Sequence, residues 1–319
     1  MYGFKWILGS LLALAVLAAP AQAAGYPAKP ITLMTAFNAG GGSDVSHRLL
    51  EKYAKGVFDQ PIVVTYKAGA GGEIGWTWLA GAKADGYTIG GVDLPHIVLQ
   101  PLLRPAGQPG YQTEQLNPLC GLVYDANVVM VPEASPYKTF KDLIDYAKAN
   151  PGKLKVATVG KLTGDHLFLM QIEKLTGATF TQIPYSGSGK AIPALLGGEV
   201  DAYFGSGSSF VRMEKTRGLA VGSKERYELC PDVPTFIEQG YPIESGKFRG
   251  LATPKGIPAE AQKYLEAKFA ELCANPDYQQ AVKSGGLMPL YQSGADFAAT
   301  IAREGEGAKA ILTEYGLLK

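Results

Sequence analysis

The chain has 319 residues, with 30 Lys and Arg against 29 Asp and Glu, and 46% of it is hydrophobic. That length is enough for two core-bearing lobes, and balanced charge without a basic run excludes an electrostatic grip on nucleic acid. Forty glycines and 21 prolines call for many loops, but no segment is low-complexity enough to stay unfolded.

The first segment reads as a signal peptide over residues 1–23. Lys5 supplies the positive start, Trp6 to Leu17 a short apolar run, and Ala21-Gln-Ala23 the small-x-small cleavage pattern. The apolar run is too short for a span, and no later stretch reaches the ~18 apolar residues that one needs. No cysteine follows the cut, which argues against a lipid anchor. Lys5 is the one charged residue removed, so the remainder carries 29 bases and 29 acids. The expectation is an exported, soluble, periplasmic protein.

Extended apolar runs then alternate with helical patterns. Ile31–Phe37 leads through Asn38-Ala-Gly-Gly-Gly-Ser-Asp44 into a helix, and Ile62–Tyr66 leads through Lys67-Ala-Gly-Ala-Gly-Gly-Glu73 into another. A strand follows at Tyr87–Val92, then a proline-rich connection from Pro95 to Pro118 and a long apolar strand over Cys120–Val131. Thr139 with Asp142 is a helix N-cap signal. Strands are expected at Lys153–Thr158, Thr179–Pro184, Val200–Phe204, Gly218–Val221 and Arg249–Ala252. Helices are expected at Gly164–Thr176, Ser188–Leu196, Pro258–Cys273 and Ala295–Leu312, the last with Phe297, Ile301, Ala308 and Ile311 on its buried side. Such alternation implies mostly parallel sheets flanked by helices, with ligand beyond the carboxyl ends of strands.

Small-residue turns sit at those strand ends. Glycines let backbone approach a ligand closely, and the helix starts that follow leave N–H donors free for an anion. The two glycine turns thus suggest a main-chain grip on a carboxylate or phosphate. Ser43 suits an N-cap and Asp44 the positive helix end. Three further turns, at Val159–Asp165, Pro184–Lys190 and Gly205–Ser209, are placed to face them across a cleft. Neither nucleotide fingerprint is complete: Ile74 stands three after Gly71, and Ala191 follows Lys190. No Gly-x-Ser-x-Gly elbow is present. His47 reads as structural, whereas His96 and His166 are candidates to touch ligand. The histidines have no metal spacing, and Cys120, Cys230 and Cys273 are too far apart for a CxxC site. An exported chain can close one bridge, for which Cys230 with Cys273 is the favoured pairing; three buried thiols are the alternative.

Taken together these segments resemble the substrate-binding proteins of tripartite tricarboxylate transporters, the Bordetella-type uptake receptors. The resemblance covers Tyr26–Pro30, Phe37–Asp44, Gly69–Gly75, Ala84–Thr88, Pro184-Tyr185, Ala194–Asp201, Pro231–Thr235 and Glu238–Tyr241. It implies a two-lobed type II periplasmic binding protein fold: α/β, two mostly parallel sheets flanked by helices, with a ligand cleft between lobes. The lobes would comprise residues 24–123, 124–219 and a return at 220–319, with crossings near Leu122–Val131 and Leu219–Ser223. The binding residues carried over are Phe37, Asn38, Ala39, Ser43 and Asp44 from the first loop. Ala70, Gly71, Gly72 and Glu73 come from the second, with Thr163, His166, Tyr185, Ser186, Phe204 and Ser206 from the opposite lobe. Ala36 and Ala39 stand where prolines are common, Asn38 replaces a small apolar residue, and Ser186 replaces a common lysine. The implied function is capture of a small organic acid, a dicarboxylate or an aromatic carboxylate, largely by main-chain amides and ordered water, so that no buried arginine is needed. A monomer would deliver it to membrane transporter subunits, without cofactor, metal or catalysis. A ligand-sensing adaptor for a sensor kinase and a periplasmic enzyme are the rival readings.

Overall fold

The computed structural model describes residues 25–105, 107–161 and 163–318; the expected signal peptide and its cleavage site lie outside them. The first lobe opens with β1 (Ile31–Thr35), α1 (Gly42–Ala54), β2 (Ile62–Tyr66), α2 (Glu73–Ala80), β3 (Thr88–Leu94) and α3 (His96–Leu103). The long β4 (Leu116–Pro132) then crosses to the second lobe. There follow α4 (Phe140–Ala149), β5 (Lys155–Val159), α5 (Gly164–Thr176), β6 (Thr181–Tyr185), α6 (Ser188–Leu196), β7 (Ala202–Ser206), α7 (Gly207–Val211) and β8 (Thr216–Val221). The chain returns along β9 (Gly246–Pro254) and closes the first lobe with α8 (Ala259–Ala274), α9 (Pro276–Ser284), β10 (Met288–Ser293) and α10 (Gly294–Glu314).

The strands run β2-β1-β3-β9-β4-β7-β5-β6, with β8 and β10 also paired to β4. Within each lobe the βαβ units are parallel: β1 with β2 and β3, and β5 with β6 and β7. Antiparallel pairing enters through the crossing strands, because a chain that leaves a lobe and comes back must run both ways. β4 pairs with β9 from Leu116 to Ala126 and with β7 and β8 from Asn127 onward. One strand therefore belongs to both sheets, and its partners change at Ala126–Asn127.

Apolar clusters lie within each lobe, and a further one joins residues of both. Ile31, Leu33, Leu50, Phe269 and Tyr278 pack in the first, and Phe140, Phe168, Ile172, Phe204 and Phe236 in the second. The return to the first lobe comes at Gly246, later than the expected residue 220. Strand β8 ends beside that change of partners, where Gly222 N donates to Asn127 O at 2.8 Å. The next segment folds back onto the second lobe, held by Phe236 against Phe140 at 5.0 Å and by buried Ile243. Ser245 then meets Asn127, and β9 crosses.

Helix α3 lies inside the segment expected as a connection. Pro101 cannot donate to the Ile97 carbonyl, and the Tyr111 hydroxyl donates to it instead at 2.6 Å. The Thr139–Asp142 capping box forms as expected from sequence. The Cys230–Cys273 bridge does not form: all three cysteines are buried free thiols. Cys273 packs beside Cys120 in the first-lobe core, whereas Cys230 belongs to a separate cluster with Tyr227 and Val233. Burial pushes the Cys230 and Cys273 thiols up to about 12, so both stay protonated.

Candidate functional site

The lobes meet along two seams, one at each glycine turn. At the first, Asn38 Nδ2 donates to Ser186 Oγ. Gly189 lies so close to the Ala39 carbonyl that a side chain there would collide with it. At the second seam, Gly69, Gly71 and Gly72 take φ of 138°, 65° and 103°, conformations that L side chains rarely adopt. This turn faces Gly160 and Thr163, and a Cβ on Gly71 would lie 2.8 Å from Thr163 Cγ2.

Between the lobes lies a cluster of buried charge built by strand register. Asp93 on β3 stands opposite Arg249 on β9, and Asp125 on β4 stands opposite Lys247. Lys247 and Arg249 are two apart, so both point to one face of β9, while Phe248 points to the other against Tyr124. Arg249 is 4% exposed and ties four elements together. Its Nη1 donates to Ser43 Oγ at 2.6 Å and lies 3.0 Å from Asp93 Oδ2. Its Nη2 donates to Asp125 Oδ2 at 2.7 Å and to Ser206 Oγ at 3.0 Å. Lys247 Nζ sits 2.6 Å from Asp165 at the start of α5 and also donates to Asn127 Oδ1.

These contacts set the charge states. Burial, the largest single influence, would raise the Asp93 carboxyl, but the Arg249 guanidinium, the Ser43 hydroxyl and the nearby His96 and His47 together outweigh it and hold the group below its usual range. Burial would equally lower Arg249, and Asp93 and Asp125 reverse that. Burial pushes His96 and His47 down to about 4, so both are neutral at pH 7.

A cavity of about 20 Å³ lies here, room for about one water-sized group. Phe37, Gly41, Gly42, Ser43, Asp93 and His96 line it from the first lobe. Val159, Gly187, Ser188 and Ser206 line it from the second, and Lys247 and Arg249 from the crossing strand. Helices α1 and α6 start at this cavity, behind Gly41 and Gly187, and neither has a side-chain cap. In α6 the Lys190 N–H turns back to the Gly187 carbonyl at 3.0 Å; the remaining first-turn N–H groups of the two helices have no intrahelical partner and favour an anion. A groove of about 590 Å³ between α5 and α10 is larger, but no residue of either glycine turn lines it.

Residues 47–317 match the tripartite tricarboxylate transporter family receptor. The chain is 32% identical to BugT of Bordetella pertussis over 318 residues, spanning 97% of this chain and 96% of that one. The chain belongs to this receptor family. A solved periplasmic transporter superposes with a TM-score of 0.87 at 29% identity, covering 92% of this chain and 99% of that one. The same fold, at 24% identity and a TM-score of 0.84, is seen in MatC from Rhodopseudomonas palustris with bound malate, covering 90% of this chain and 100% of that one. Receptors of this family bind solutes in the periplasm, and no described helix of this one is long and apolar enough to cross a membrane.

Of the residues singled out from sequence, Phe37, Ser43, His96 and Ser206 line the receptor's cavity. Ser43 does not cap α1; Gly41 holds that position, and the Ser43 hydroxyl donates to Asp93 at 2.6 Å. Asn38, Ala39 and Ser186 form the first seam, and Gly71 with Thr163 the second. Ala70 is exposed, while Gly72 is buried beneath Trp76. Others point elsewhere. Asp44 braces its own turn, accepting from Gly40 N at 2.7 Å and Tyr66 Oη at 2.5 Å. Glu73 pairs with Arg104. Phe204 packs in the second-lobe core against Phe180, because its β7 position faces inward. His166 lines a separate small space with Leu99 and Met170, and Tyr185 packs at the margin of an apolar cluster.

The sequence pattern did not single out Asp93, Asp125, Lys247 or Arg249, placed Asp165 only within a cleft-facing turn, and called for no buried arginine. Their signal is charge within apolar strand runs, as in Ile89-Gly-Gly-Val-Asp-Leu94 and Leu122-Val-Tyr-Asp-Ala126. Buried charge persists only where it is paired.

Proposed function

We propose that this receptor captures a small organic carboxylate between its lobes, closes over it, and delivers it as a monomer to the membrane subunits of a tripartite tricarboxylate-type transporter. It would reach the periplasm by cleavage of the signal peptide at 1–23. The observation that carries the reading is the convergence of two helix N-termini without side-chain caps, α1 and α6, with the buried Arg249 guanidinium at one interlobe cavity. Each hydrogen bond to a charged group contributes roughly 1.5–3 kcal/mol. Micromolar affinity needs about −8 kcal/mol. Four or five such bonds exceed that, leaving a margin for lost ligand freedom and lobe closure. Because this cavity holds about one water-sized group, the lobes would part to admit a ligand. The ligand then shifts the open–closed population by its extra affinity for the closed state.

A thermal-shift panel tests this. Organic acids, malate and adipate among them, are expected to raise the melting temperature, as any ligand selective for the native state does. Neutral sugars and simple cations are expected to leave it unchanged. A panel in which only neutral or cationic solutes stabilise the protein would overturn the reading.

A further inference from the structure

Helix α5 starts at the second seam and presents two faces. Phe168 and Ile172 enter the second-lobe core. Thr163, Leu167, Met170 and Lys174 follow one another at three- and four-residue spacing, which puts them on one stripe, and that stripe meets the first lobe. Leu167 and Met170 share a space of only about 10 Å³ with Leu99 and Leu103 of α3 and with Leu312 and Leu317 at the end of α10. Beside it, Lys174 pairs with Glu314 and its Nζ lies 4.5 Å from the centre of the Tyr315 ring.

The end of α10 is shaped for this contact. Gly316 takes a φ of 66°; its N–H donates to Thr313 O and the Leu317 N–H donates to Leu312 O, each at 2.9 Å. A left-handed glycine that closes a helix in this way folds the next side chain back onto the last turn. Leu317 is thereby brought to Leu312, which is 1% exposed. The other end of α10 is rooted in the first lobe, where Phe297 packs over Gly250 and Thr300 Oγ1 accepts from Gln292 Nε2 at 2.9 Å.

Each helix is fixed in its own lobe, so their contact parts when the lobes part. None of its leucine and methionine side chains lines the interlobe cavity, so the contact acts with or without a ligand. The Lys174–Glu314 pair is exposed on both sides and adds little; burial of the apolar side chains carries the contact. We propose that the end of α10 is an interlobe latch. It holds part of the receptor closed before ligand arrives, and the apparent affinity for any ligand that prefers the closed form rises with that fraction. Leu312, Leu317 and Met170 thus tune affinity without touching ligand. This inference rests on the reading that the lobes part and close, and adds a device that governs it.

The test measures interlobe distance by pulsed electron paramagnetic resonance, with no acid added. Spin labels go on Thr77→Cys in α2 and Lys190→Cys in α6, exposed positions in opposite lobes; the three native thiols are buried. The labelled protein is expected to show a closed population, alone or beside an open one. In Leu312→Ala the closed-to-open ratio is expected to fall about tenfold or more, with the circular dichroism spectrum kept. An open population alone before that substitution, or a ratio that the substitution leaves unchanged, overturns the latch. If Leu312→Ala does not fold, Leu317→Ser at an exposed position decides in the same way, with a fall of about threefold expected. Because no acid is present, a failed latch leaves the carboxylate reading standing. A thermal-shift panel in which no acid stabilises the protein overturns that reading and leaves the measured distances as they are.

Discussion

The two glycine turns look alike in sequence and do different work. The first, at residues 38–44, reaches the charged centre: a Cβ on Gly42 would lie 2.8 Å from Arg249 Nη2 and 3.0 Å from Asp125 Oδ2. The second, at residues 69–73, never reaches it. A Cβ on Gly71 would meet Gln100 Nε2 at 2.6 Å and Thr163 Cγ2 at 2.8 Å, and no residue of the turn lines the cavity. A glycine turn at a strand-to-helix joint therefore marks a place of close approach, and the opposing elements decide whether ligand or protein comes close. The first turn is read as a wall of the site, and the second as a lobe-closing contact.

Substitution at Arg249 is the severest way to break this contrast. Arg249→Met leaves Asp93 and Asp125 buried without their partner, which costs about 3–5 kcal/mol for a broken buried pair. Urea denaturation should show that loss, and titration should show ligand affinity down at least a hundredfold. Retained affinity would remove the first turn's charged centre from the site.

Acid attacks the same side. His47 and His96 are held near 4 by burial, against about 6.5 in the unfolded chain. Between those values the unfolded chain binds the proton and the folded chain does not. Stability should be full above pH 6.5 and fall as pH drops toward 4, by about 3 kcal/mol for each histidine. Urea midpoints at pH 7 and pH 4.5 measure this, and equal midpoints would mean that the histidines are not held neutral.

Comparison of the two turns needs a matched pair of variants. Gly42→Ala is expected to weaken ligand about thirtyfold, roughly 2 kcal/mol, because its methyl group enters the Arg249 contact. Gly71→Ala should cost about 1–2 kcal/mol of stability from its left-handed backbone, with affinity falling less than tenfold. The reverse ranking in titration would exchange the roles assigned to the turns. Asn38→Ala removes one rim hydrogen bond and should cost affinity about 0.5–1.5 kcal/mol. A larger loss would move Asn38 from the seam into the site.

Local chemistry made much of the fold legible. Helices α5 and α6 have the limits that their periodicity and flanking turns indicate, and the Thr139–Asp142 pair caps α4. Legibility failed where tertiary contacts overrode a local signal. Pro101 suggested a connection, yet α3 tolerates it because Tyr111 satisfies the freed carbonyl. The segment after Val221 looked like a return, yet Phe236 anchors it to the second-lobe core. At the site, the small-residue turns pointed to the cavity rim, to Phe37 and to Ser43. They could not show the charged centre. Asp93, Asp125 and Arg249 are far apart in sequence and meet only through the β3–β9–β4 register.

The central claim is that the cavity between α1, α6 and Arg249 is where ligand sits. A crystal structure of the receptor with the tightest-binding acid tests it most directly. The account predicts the acid's carboxylate at the N-termini of α1 and α6 and within hydrogen-bond distance of Arg249. Ligand in the groove between α5 and α10, with Arg249 untouched, would contradict it.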